Sequence, residues 1–197
     1  MSSVTAADVK ELREMTGAPM MDCKSALQEA AGDKQKAVEV LRKRGIATAQ
    51  KRIGRETKEG RIGYYIHHDG KGGVMIEVNC ESDFVAKTDE FRNLVSDLAK
   101  HVYATNPAAV RREEIDPAVI EKEKEIYRAQ TAGKKPPQVI EKIVENKLLD
   151  FYKQRCLLDQ PFVMDEKMTV RELVESKAGK LGENIGVRRF ARFQVGG

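Results

Sequence analysis

Residues 61–78 read Arg61-Ile62-Gly63-Tyr64-Tyr65-Ile66-His67-His68-Asp69-Gly70-Lys71-Gly72-Gly73-Val74-Met75-Ile76-Glu77-Val78, and this stretch decides the fold class. Ile62, Tyr64 and Ile66 alternate along one run, and Val74, Ile76 and Val78 along the next. A period of two is the mark of a half-buried strand. Between the runs lies Asp69-Gly70 in a glycine-rich loop, which is turn chemistry that joins antiparallel strands. A hairpin alone is marginal in water. A third strand is expected from Gly186 to Val195, with Val187, Arg189, Ala191 and Phe193 on one face and Arg188, Phe190 and Arg192 on the other. The centre of the protein is therefore expected to be an antiparallel sheet.

Working outward, the flanks read as helices. Thr5 and Asp8 form a capping pair, Val9, Leu12 and Met15 follow at helical spacing, and Gly17 suits a helix end. Pro19 fits the first turn of a second helix with the stripe Met20, Cys23, Leu27 and Ala30, which Gly32 stops. Asp33 caps a third, with Ala37, Val38 and Leu41 apolar and Gly45 at its end. Residues 1–52 are thus expected to be a helical bundle, and residues 53–60 a basic linker that continues Lys51 and Arg52 with Arg55 and Lys58. Residues 61–197 make the core domain. It includes a helix with Phe91, Leu94, Val95, Leu98 and Val102, and a helical hairpin at about 117–153, turning at Ala132-Gly133-Lys134-Lys135-Pro136-Pro137. Pro161 breaks the chain, and Thr169 with Glu172 caps a last helix ending before Gly182. The class is α+β.

The chain has 197 residues, of which 35 are Lys or Arg and 31 are Asp or Glu, leaving a net charge of +4 with the signs well mixed. Such a balance is weak ground for a nucleic-acid binder, which concentrates its basic residues. No run approaches a membrane span, and Met1 to Val9 lack a secretory pattern, so the cytosol is the expected compartment. Cys23, Cys80 and Cys156 lie far apart, which suits reduced thiols better than a zinc site or a disulfide framework.

Chemistry-bearing motifs are few. There is no phosphate loop, dinucleotide fingerprint, nucleophile elbow or zinc-protease helix. His67 and His68 are adjacent on a strand end, where side chains diverge, so they make poor joint ligands. His101 reads as a residue at the boundary of an amphipathic face. Two segments resist a purely structural reading. Thr16-Gly17-Ala18-Pro19-Met20-Met21 is a tight turn with two adjacent Met, which cannot both lie on one buried stripe. One Met in the core and one merely exposed is the plain alternative. Asn79-Cys80-Glu81-Ser82-Asp83-Phe84-Val85-Ala86-Lys87 leaves a strand and enters a helix, with Ser82 or Asp83 as its cap. Phe84 is either packed on the sheet or presented to a partner.

These segments carry a resemblance. Leu12-Arg13-Glu14-Met15-Thr16-Gly17-Ala18-Pro19-Met20-Met21-Asp22-Cys23-Lys24-Ser25-Ala26-Leu27 resembles the N-terminal signature of the bacterial elongation factor Ts family. Glu77 to Lys87 resembles its second signature, and Gln160-Pro161-Phe162-Val163 and the terminal Phe190-Ala191-Arg192-Phe193-Gln194-Val195-Gly196 also resemble that family. Ser82 stands where the family usually has Thr, and Pro19 where Gly is common; both keep the groups the motif needs. The resemblance implies a ubiquitin-associated-like (UBA-like) three-helix domain, a linker and a sheet core with a helical hairpin. It implies a nucleotide exchange factor for elongation factor Tu rather than an enzyme. No cofactor of its own is expected, since GDP and magnesium belong to the partner GTPase. A homodimer is expected because the chain has room for one core unit, and no direct nucleic-acid contact and no membrane contact are expected. The implied partner-binding residues are Ser82, Asp83, Phe84 and Val85, with Arg13, Met20, Met21 and Lys24. Two other readings stay open from the residues alone. One is a small RNA- or ribosome-binding module using the 46–60 connector and Arg188, Arg189 and Arg192. The other is a hydrolase built on Cys80 or Cys156.

Overall fold

A computed structural model describes residues 4–131 and 136–196. The turn expected at 132–137 therefore lies largely outside the described residues.

Caps set the N-terminal helices. α1 (Ala6–Thr16) opens on a reciprocal box: the Asp8 N–H donates to Thr5 Oγ1 at 3.2 Å, and the Thr5 N–H donates to Asp8 Oδ2 at 3.1 Å. Gly17 ends it with a φ of 66°. α2 (Met20–Glu29) follows Pro19, and α3 (Lys34–Gln50) follows Asp33, whose carboxylate accepts the Lys36 N–H at 3.1 Å. Val9, Leu12, Cys23, Ala26, Leu27, Ala30 and Ala37 form the core these helices share. Met15 does not join it and is 62% exposed. The stripe runs Val9, Leu12, Thr16 instead, because Thr16 donates to Leu12 O at 2.7 Å and sits 3.9 Å from Cys23 Sγ. Gly45 does not end α3, which continues through it to Gln50.

In chain order there follow β1 (Glu59–Ile66), β2 (Gly72–Cys80), α4 (Asp83–Ala86), α5 (Asp89–Thr105), α6 (Pro117–Thr131), α7 (Pro137–Arg155), β3 (Pro161–Phe162), β4 (Asp165–Thr169), α8 (Val170–Leu181) and β5 (Gly186–Gln194). The described residues fall into two compact units. One takes in Met1–Gly60, Asn79–Phe91 and Val174–Gly186; the other takes in Arg61–Val78, Arg92–Leu173 and Val187–Gly197.

In the second unit the three-stranded sheet runs β1-β2-β5. The His67 N–H closes the hairpin on Gly72 O at 2.9 Å, and the Val195 N–H donates to Lys71 O at 2.8 Å. Residue 195 stands opposite 71 while Arg189 reaches Glu77, so β2 and β5 are antiparallel. Val74, Ile76 and Val78 are buried on the inner face with Leu94, Leu98 and Val102 of α5. Gly63 is glycine because a Cβ there would land on Val95 of α5. The alternating apolar set of β1 therefore faces outward: Ile62, Tyr64 and Ile66 are exposed, as are Met75 and Phe193. In β5 the expected alternation slips at Arg188 and Arg189, which are both exposed and both reach Glu77.

His101 is fully buried in α5, not at a face boundary, because Gln160 and the Val163 backbone supply polar partners in the core. α6 and α7 are joined across by Arg128, whose Nε and Nη2 lie 2.8 and 3.1 Å from the Glu141 carboxylate. The short antiparallel pair of β3 and β4, Pro161 opposite Thr169, has no counterpart in the expected elements. α8 opens on the Thr169–Glu172 pair at 3.2 and 2.8 Å, and Gly182 follows it with a φ of 77°.

Candidate partner-binding site

Every residue of the two unusual segments lies in the first compact unit. Arg13 sits in the last turn of α1, and Met20, Met21 and Lys24 in the first turns of α2; all four are exposed. Met20 is 52% exposed and Met21 72%, so neither is a core residue. Gly17 lies in the turn between α1 and α2, where a Cβ would meet the flexible end of Lys180 of α8, Cε at 2.5 Å. Lys180 in turn reaches Glu90 at 2.6 Å, and Lys177 reaches the same carboxylate at 2.5 Å. Burial works to raise the Glu90 pKa, but the two ammonium groups outweigh it and hold the carboxyl below its usual range. A chain of contacts thus runs from the α1–α2 turn through α8 to the start of α5.

Phe84 is 80% exposed, on a single helical turn. It is not packed on the sheet. Its position is set by the backbone around it. Ser82, not Asp83, is the N-cap, and its Oγ accepts the Val85 N–H at 3.4 Å. Asp83 instead pairs with Lys87 at 2.5 Å; that hydrogen bond holds its carboxyl below the usual range. Val85 is half-buried and its carbonyl accepts the Thr88 hydroxyl at 2.8 Å.

A residue outside both signatures does more. Glu183 Oε2 accepts the N–H groups of Glu81 and Ser82, each at 3.0 Å, and Oε1 accepts the Ser82 hydroxyl. In return Glu81 Oε1 accepts the Asn184 N–H at 2.6 Å. The Asn184 side chain donates to Arg55 O at 2.8 Å, and the Arg55 guanidinium lies 3.5 Å from Glu81. Glu183 is separated from Ser82 by about a hundred residues, so no local pattern points to it. The antiparallel neighbourhood of β2 and β5, both legible in the sequence, was the one available signal.

The other chemical readings lose their means. Cys80 and Cys156 are fully buried, and burial first, then the charges of Glu183 and Asp159 respectively, push both thiols up to about 11. A thiol kept protonated is a poor nucleophile. The rings of His67 and His68, expected to diverge, lie 4.3 Å apart, since β1 stops at Ile66 and strand alternation no longer applies. His67 also stacks on Tyr103 at 4.8 Å. Among the described residues no group of three or more His, Cys, Asp or Glu could hold a metal ion. Among them, too, no helix is long and apolar enough to cross a membrane. Arg188 and Arg189 both reach Glu77, and Arg192 lies over the Tyr103 ring at 5.3 Å.

The family model for elongation factor Ts matches residues 2–197. An elongation factor Ts of Thermodesulfovibrio yellowstonii is 57% identical over 98% of this chain and 97% of its own length. That of Fervidobacterium nodosum is 56% identical over 98% of each, and that of Thermotoga maritima 55% over 95% of this chain and 94% of its own. With both signatures seated in one unit and the match running end to end, the chain belongs to the elongation factor Ts family.

Proposed function

We propose that the protein acts in translation elongation, in the cytoplasm, as a guanine nucleotide exchange factor for elongation factor Tu. The observation that carries this reading is Phe84, a large apolar side chain exposed to solvent beside a backbone hydrogen-bonded to Glu183. An exposed aromatic on a fixed corner is the arrangement of a binding hot spot. Exposed Met20 and Met21, soft and adaptable, supply a second apolar contact in the same unit, with Arg13 and Lys24 beside them. The first three helices would serve as a UBA-like docking module.

The work asked of such a site is binding, not bond-breaking. A protein that binds the nucleotide-free GTPase more tightly than the GDP-bound form must, by reciprocity, weaken GDP by the same factor. Phe84 would wedge beside the partner's magnesium and phosphate site. Burying it contributes about 1.5–3 kcal/mol, enough to offset part of the cost of displacing those groups. GDP and magnesium are the partner's, so the chain itself requires no cofactor. The protein would act as a homodimer. Support comes from the outer sheet face, where Ile62, Tyr64, Ile66, Met75 and Phe193 leave an apolar surface of the kind that marks an interface.

The test is stopped-flow release of a fluorescent GDP analogue from elongation factor Tu. Phe84→Ala is expected to slow release by roughly thirtyfold, the equivalent of about 2 kcal/mol. Unchanged release would remove the wedge role.

A further inference from the structure

We propose that Glu183 is a positioning residue for the Phe84 corner, and that its carboxylate, with the Glu81–Asn184 return bond, fixes Phe84 in its binding pose before any partner arrives. The proposal deepens the exchange-factor reading and rests on it.

Phe84 itself lacks close packing. At 80% exposure it has little packing of its own, so the direction of its Cα–Cβ bond follows the φ and ψ of residues 81–84. Those residues form the junction between β2 and a four-residue helix, a segment too short to be stable alone. Two consecutive N–H groups, of Glu81 and Ser82, leave the strand there and both find Glu183 Oε2 at 3.0 Å. The Ser82 hydroxyl donates to Glu183 Oε1, which frees its lone pairs to cap the Val85 N–H. Hydrogen bonds to an ionised acceptor are about twice as strong as neutral ones. Glu183 is delivered by the turn at Gly182, which reverses the chain with a φ of 77° between α8 and β5. The bond from Asn184 to Glu81 at 2.6 Å makes the tie double, and Asn184 reaches on to Arg55 O. A wedge that is ordered in advance avoids the entropy of ordering on binding, which is where preorganisation gains affinity.

The experiment uses the full chain and four variants: Glu183→Ala, Glu183→Gln, Phe84→Ala, and Phe84→Ala with Glu183→Ala. Amide hydrogen exchange is read at Glu81 and Ser82, and GDP release from elongation factor Tu by stopped flow. Glu183→Ala is expected to lose amide protection at those two sites by roughly tenfold or more while Leu94 and Leu98 keep theirs, and to slow GDP release by about tenfold. Glu183→Gln keeps an acceptor for both N–H groups and a donor for Ser82 Oγ, so it is expected to restore most of both. Added to Phe84→Ala, Glu183→Ala is expected to change release by less than about twofold, since both act through one side chain. Unchanged protection at Glu81 and Ser82 in Glu183→Ala overturns the proposal, as does equal slowing in both backgrounds, or a Gln variant no better than Ala. If Phe84→Ala alone leaves release unchanged, the exchange-factor role of Phe84 falls, and the proposal with it. The amide data then still report separately whether Glu183 holds the corner.

Discussion

His101 and Gln160 are the two buried polar side chains among the described residues, and their partners fix a protonation state. The Val163 N–H donates to His101 Nδ1 at 3.3 Å, so Nε2 carries the proton and donates to Gln160 Oε1 at 2.9 Å. Gln160 Nε2 passes the chain on to Gln154 O at 2.8 Å. Burial lowers the His101 pKa from 6.5, with the Gln160 hydrogen bond working the other way. A second ring proton would confront the Val163 N–H. The unfolded chain therefore binds this proton more readily than the folded one, and stability rises with pH between the lowered value and 6.5. His101 thus contributes stability that is whole above 6.5 and is lost as pH falls toward its folded pKa. Denaturant titrations between pH 7.5 and 5 are expected to show that decline, and His101→Gln is expected to flatten it. An equal slope in the variant would assign the dependence to other groups. In the sequence His101 looked like a boundary residue, because periodicity places a side chain on a face without saying what polar groups the far elements bring to it.

Gly45 and Gly179 show how an element can hide its purpose. Gly45 lies inside α3, where a glycine reads as a stop, yet the helix runs on to Gln50. A Cβ on Gly179 would land on the carbonyl, Cα and C of Gly45, whereas a Cβ on Gly45 would meet only Ser176 O at 3.9 Å. The close approach of α3 and α8 therefore forbids a side chain on one partner and tolerates it on the other. Gly179→Ala is expected to cost about 1–3 kcal/mol, because backbone must move, and to lower Tm by several degrees, at about 2–4 °C per kcal/mol for this size. Gly45→Ala is expected to be neutral or to gain up to about 1 kcal/mol from helix propensity. Calorimetric melts of the two variants decide; equal losses would refute the asymmetry. The elements that were legible in sequence had local signals: the Thr5–Asp8 and Thr169–Glu172 boxes, Asp33, Gly17, Gly182 and the Asp69-Gly70 turn. Those that were not legible depend on distant partners. Glu183 acts on Ser82, Tyr103 and Val95 set the glycines at 72 and 63, and the two-residue strand Pro161–Phe162 is too short to show a period. The same limit applied to the site. The signature residues stood out locally, and the carboxylate that holds them did not.

At the scale of the whole molecule, the proposed homodimer uses the outer sheet face of the second unit and the proposed exchange role uses the Phe84 corner of the first. Tyr64 and Phe193 lie on that face, in β1 and β5, and both are exposed. Tyr64→Asp with Phe193→Asp is expected to convert a dimer to a monomer in sedimentation equilibrium, with the circular dichroism spectrum unchanged. A wild type that sediments as a monomer at tens of micromolar would refute the homodimer. Within the first unit, Ser82 of the corner is bound to Glu183, and Lys180 of α8 reaches Glu90. The proposed role is to loosen a nucleotide that another protein holds. The direct measurement is the rate of fluorescent GDP release from elongation factor Tu as a function of added protein. Acceleration is expected to rise with concentration to a plateau, and Phe84→Ala is expected largely to abolish it. A release rate that stays at its unassisted value at every concentration of the intact protein would contradict it.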